Sequence, residues 1–127
     1  MRTKEVIVLW LLLVSMASAR HDLTKIVSAL IQVESEGITN AVNGNAVGIL
    51  QIKPITVREV NRILKGEVYT LADRYSPEKS KDMAMVFFTY WVKRWPSMSD
   101  KELCGRWMMP NGKAPEWYKV RCAKELQ

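Results

Sequence analysis

Between residues 23 and 34, apolar side chains recur at Leu23, Ile26, Val27, Leu30 and Ile31, the three-and-four spacing of one helix face. Carried one turn further, the stripe lands on Glu34, where a core residue is expected. Asp22 offers an N-cap for this helix and Gly37 a stop. The chain then turns polar, with Asn40, Asn43, Gly44 and Asn45, before an apolar string over residues 46–52. Periodicity leaves that string open between a short strand and a buried helical turn. Pro54 stops it, and the capping-box spacing of Thr56 and Glu59 predicts a helix over 57–65 that ends at Gly66. Ser76-Pro77 predicts a longer helix over 77–93, with Met83, Ala84, Val86, Phe87, Tyr90 and Trp91 on its apolar face. After the break at Pro96, Ser99 and Glu102 open a short helix that runs through Trp107. Residues 108–114 form a loop, and Pro115 begins the last helix. The pattern is five helices around one turn-rich insertion.

The first residues follow a different rule. A basic start (Arg2, Lys4), an unbroken apolar run over 6–14 and small residues at Ala17 and Ala19 predict a signal peptide over residues 1–19, followed by a single domain over 20–127. The run is about half of the ~20 apolar residues that a membrane span needs. No cysteine follows the cleavage site, which argues against a lipid anchor. The expected destination is the periplasm or the outside of the cell. His21, the only histidine, is expected in a loose new N-terminus with no chemistry.

Charge and cysteines narrow the class further. The full chain has a net charge of +6, and removing Arg2, Lys4 and Glu5 with the leader leaves +5. In an exported protein this balance suits anionic wall polymers or membrane surfaces. No basic run is interleaved with aromatics, so nucleic acid is not an expected partner. Two cysteines in an oxidising compartment predict one disulfide, Cys104 to Cys122, which ties the last two helices together. With only His21 as a further soft ligand, a metal site has too few donors, and no cofactor is implied. Trp107, Trp117 and Tyr118 flank the loop between those helices and serve either as sugar platforms or as core.

A carboxyl group at a core position loses hydration, which disfavours its charged form and lets it keep a proton near neutral pH. Glu34 thus has the profile of a general acid. The alternative is a helix-end glutamate that turns to solvent.

The residues Ala29-Leu30-Ile31, Val33-Glu34-Ser35, Ala41-Val42-Asn43, the string Ala46-Val47-Gly48-Ile49-Leu50-Gln51-Ile52, Pro54 and Thr56 together resemble the signature of the lytic transglycosylases of the goose-type lysozyme superfamily. The resemblance implies a monomeric, lysozyme-like α+β domain, mostly helical, with its cleft between the Glu34 helix and the later helices. It makes Glu34 the catalytic acid and Ser35 the neighbour that orders the helix end. Asn43 becomes the contact to an N-acetyl group, where many members have serine. Gly48 becomes a point of close backbone approach, to backbone or to glycan, and Gln51 a polar group of the cleft. The family's tyrosine-asparagine pair is not present as such, because Arg106-Trp107-Met108 stands there. Either Trp107 replaces that tyrosine as a wall of the site, or Tyr118 supplies the hydroxyl from the last helix.

A simple glycoside hydrolase adds a second carboxylate to the acid. Glu36 points away from Glu34 around the helix, and no further Asp or Glu precedes Arg58. That absence favours a one-carboxylate mechanism. The resemblance implies cleavage of the bond between N-acetylmuramic acid and N-acetylglucosamine in peptidoglycan glycan strands, with a 1,6-anhydro product. Two rivals stay open: a lysozyme-type hydrolase using Asp73 or Glu67, and a non-catalytic wall-binding or assembly protein. A secretion apparatus or a phage is a fitting setting for such a chain.

Overall fold

The computed structural model describes residues 21–127 and, before them, Ile7 alone, so the predicted signal peptide otherwise lies outside the described residues. Helix α1 runs Leu23–Glu34. Asp22 caps it by accepting the Lys25 amide at 3.0 Å. The predicted stripe is buried at Leu23, Ile26, Val27 and Leu30, with Ala29 beside it. Ser35 ends the helix, and the chain reverses through Glu36 and Gly37, both at positive φ.

The polar segment folds as a hairpin. Strands β1, Val42–Asn43, and β2, Ala46–Val47, pair antiparallel with Val42 opposite Val47. The apolar string over 46–52 is neither a continuous strand nor a helical turn. Val47 bridges Ile52 around a turn, and Ile49, Leu50 and Ile52 are buried by that closure.

Helix α2, Pro54–Leu64, begins a turn earlier than its spacing predicts. Pro54 opens the helix, because its fixed φ suits the first helical position and its missing N–H has no partner to lose there. Thr56 therefore lies inside the first turn, and Glu59 pairs with Arg62 at 2.6 Å in place of a capping box. The left-handed residue at its end is Lys65, one before Gly66. A 3-10 turn at Leu71–Tyr75 has no counterpart in the sequence reading; Thr70 and Asp73 close it with a capping box of their own.

Helix α3, Pro77–Arg94, packs on α1, α2 and the 3-10 turn. Its burial is broader than one stripe: Phe88 and Thr89 are inside as well as Met83, Phe87 and Trp91, as suits a helix with neighbours on several sides. Ser76 and Ser99 cap α3 and α4, Asp100–Met108, by accepting the amides of Lys79 and Glu102. Helix α5, Glu116–Glu125, packs on α4 and α1. Cys104 and Cys122, both fully buried, are joined in a disulfide between α4 and α5.

His21 is not a loose end. Its Nδ1 lies 2.7 Å from Asp100 Oδ1 and its Nε2 lies 3.3 Å from the Pro96 carbonyl oxygen. The turn after Pro96 brings a carboxylate and a free carbonyl to the start of α1, and the imidazole has a ring nitrogen for each. The whole is a mostly helical α+β domain of the lysozyme-like kind. Among the described residues no helix is long and apolar enough to cross a membrane.

Candidate active site

The end of α1 and the turn after β2 are fixed to each other by side chains of the signature. Ser35 Oγ donates to the Ile49 carbonyl at 2.7 Å and accepts the Gly37 amide at 3.1 Å. Gln51 stands at positive φ and donates through Nε2 to the carbonyls of Gly48 at 2.9 Å and Ala41 at 3.2 Å. Gly48 also lies at positive φ, and a Cβ there would run into the Arg74 carbonyl. The close approach is therefore to protein backbone. Arg74, a residue that the sequence reading passed over, clamps the hairpin: its Nη1 donates to Asn45 O at 2.9 Å and Ile52 O at 3.1 Å.

This rigid loop forms one wall of a cleft of about 520 Å³. Glu34, Asn43, Gln51, Trp107, Trp117 and Tyr118 line it, whereas Ser35 and Gly48 lie behind the wall and act through the backbone. Asn43 is exposed, and Trp117 is 60% exposed. Trp107 is almost wholly inside: its Nε1 donates to the Leu50 carbonyl at 3.0 Å, and its ring meets Phe87 edge-on. Its indole lines the cleft and also supports the loop, and the hydroxyl against Glu34 belongs to α5. Tyr118 Oη donates to Glu34 Oε2 at 2.6 Å.

Among the described lining residues Glu34 is the only carboxyl group. Asp73 is held by the Thr70 amide at 2.8 Å and Lys79 Nζ at 3.1 Å, and neither it nor Glu67 reaches the cleft. Burial pushes the Glu34 carboxyl above the ordinary range; the Tyr118 hydrogen bond and the charges of Lys53 and Arg121 pull it partly back. The phenol is raised in turn, by burial first and then by the Glu34 charge. What results is a carboxyl group poised to hold a proton, with a neutral donor fixed on its second oxygen. Among the described residues no group of three or more histidine, cysteine or acidic side chains is placed to hold a metal ion.

Lys53 and Arg121 also line the cleft, and neither was singled out in the sequence. A signal for Arg121 existed: it follows Tyr118 by three residues on a helix and so shares its face.

A search of curated proteins and a search of solved structures returned no match. The family model described as the transglycosylase SLT domain matches residues 13–110, which takes in the Glu34 helix, the hairpin loop and Trp107 but stops short of Tyr118. By that match, which spans well over half of the sequence and carries with it a transglycosylase-type action on peptidoglycan, the chain belongs to the SLT transglycosylase family.

Proposed function

We propose that the protein is a lytic transglycosylase that cleaves the β-1,4 bond between N-acetylmuramic acid and N-acetylglucosamine, with Glu34 as both acid and base. The protonated carboxyl gives its proton to the bridging oxygen as the C1–O bond breaks and an oxocarbenium-like centre forms at C1. The carboxylate then takes the proton of the muramic acid's own 6-hydroxyl, whose oxygen closes on C1. A 1,6-anhydro ring forms, no water is consumed and Glu34 regains its proton. Tyr118 is a positioning residue: its hydrogen bond fixes the Glu34 rotamer and stabilises the carboxylate between the two transfers.

The observation that carries this reading is the single carboxyl group in the cleft, raised by burial and held by Tyr118. A hydrolase of the usual kind needs a second carboxylate there to activate water or trap the sugar. The decisive experiment is mass spectrometry of the soluble products released from peptidoglycan by the purified protein. Anhydro-ended fragments are expected. Fragments heavier by one water would instead mean a lysozyme-type hydrolase, and no fragments a wall-binding protein without turnover. We also place the chain outside the cytoplasm, in the periplasm or beyond it, which its leader-like first residues and its disulfide support.

A further inference from the structure

The cleft carries more positive charge than its one acid accounts for. Lys53, at the start of α2, and Arg121, on α5, both line it, and neither has an ion-pair partner among the described residues. Thr56 lines the cleft in the same first turn of α2 and is only 8% exposed. The first turn of α2 holds no acidic residue and has no side-chain cap, so its dipole adds to the same positive field.

A ligand carboxylate would complement such a set. Glu34 does not provide the counter-charge in its working form, because an acid that holds its proton is neutral. With Glu34 protonated, the cleft presents two cations and no anion. The cations also work against the acid, since each pulls the Glu34 carboxyl down. A ligand carboxylate placed between them cancels that pull, so Glu34 keeps its proton as substrate arrives.

We propose that Lys53, Arg121 and Thr56 form a carboxylate-binding subsite beside Glu34, which selects glycan that carries a free carboxylate next to the bond to be cut. The inference rests on the reading of this cleft as a peptidoglycan-cleaving site. Muramic acid offers the carboxylate from two sources: its own lactyl group when no peptide is attached, and the stem peptide when its carboxyls are not amidated. The first source would place this reaction after an amide hydrolysis that strips the peptide from the lactyl group.

The test measures binding in a Glu34→Gln background, where changes in the acid itself cannot intervene. Short glycan strands, peptide-free and peptide-bearing, are each prepared with their carboxyls free and with them amidated, and are titrated by calorimetry. The Glu34→Gln protein should bind the free form about tenfold more tightly, and adding Lys53→Gln and Arg121→Gln should bring the two forms within about twofold. Preference confined to peptide-free strands identifies the lactyl carboxylate, and preference confined to peptide-bearing strands the stem peptide. Thermal unfolding of the triple variant at the temperature of the parent rules out a folding defect. Equal binding of free and amidated strands by the parent overturns the subsite, as does a preference that survives the triple substitution. If the unsubstituted protein releases anhydro fragments in either case, the transglycosylase reading stands without the subsite. If it cuts no glycan of any form, both fall.

Discussion

The charge on Glu34 has opposite consequences for catalysis and for stability. Burial holds its folded pKa above the unfolded value of 4.5. Between those two pH values the folded state binds the extra proton, so stability is lost as pH rises through that window. Glu34→Gln removes the titrating group. It should melt higher than the parent at neutral pH and no higher below pH 4.5, while cleavage falls by at least about a thousandfold. A melting series across pH and a product assay on the same samples check both halves. Tyr118→Phe removes the hydrogen bond that favours the charged form, so the Glu34 carboxyl should rise further. The alkaline limb of the rate profile should then move to higher pH, with a rate loss of about tenfold or less at the optimum; an unmoved limb would count against Glu34 as the titrating acid. Glu34 was legible because a carboxyl group on an apolar stripe breaks a pattern. Lys53 and Arg121 break none, since a lysine before a proline and an arginine on an exposed helix are ordinary, and only folding sets them beside the acid.

At the scale of elements, the site depends on how tightly the hairpin loop is held against the 3-10 turn. Gly48 is the tightest point, being at φ +82 with the Arg74 carbonyl where a Cβ would stand. Gly48→Ala must push apart backbone that Arg74 itself ties down, and should cost about 3 kcal/mol or more. Gly37, at φ +86 with open space around it, is the control: Gly37→Ala should cost about 1 kcal/mol, the left-handed strain alone. Chemical denaturation of the two variants separates the effects, and equal losses would mean that contact with Arg74 does not matter. Here the sequence was readable where caps and prolines gave local instructions, as at Asp22, Ser76 and Ser99. It misled at Pro54, where the same residue can stop one element or start the next. It was silent on the turn at Leu71–Tyr75, whose reason for existing is the hairpin that it clamps, and on the string over 46–52, which takes its shape from that clamp.

Across the whole molecule, the groups of the cleft come from two ends of the chain. Glu34 ends the first helix, while Tyr118 and Arg121 ride on α5, beyond the stretch that the family model matches. What keeps α5 in place is therefore part of the site. Its buried residues are Tyr118 and Cys122, with Leu126 just beyond its end partly buried against the core. Besides its packing on α4 and α1, the disulfide to Cys104 and the pairs Lys119–Glu102 at 3.0 Å and Lys101–Glu116 at 2.6 Å tie it to α4. Bridging cysteines 18 residues apart should stabilise the fold by about 3 kcal/mol in the chain-entropy model. The double change Cys104→Ala, Cys122→Ala should lower the melting temperature accordingly. Activity should fall more than the folded fraction does, because α5 can leave α1 while the α1 to α3 core stays packed. Hydrogen exchange locates the loss: the amides of α5 should lose protection and those of α3 keep it. Uniform loss across both helices would mean that the bridge serves the fold as a whole and that the site has no separate dependence on it.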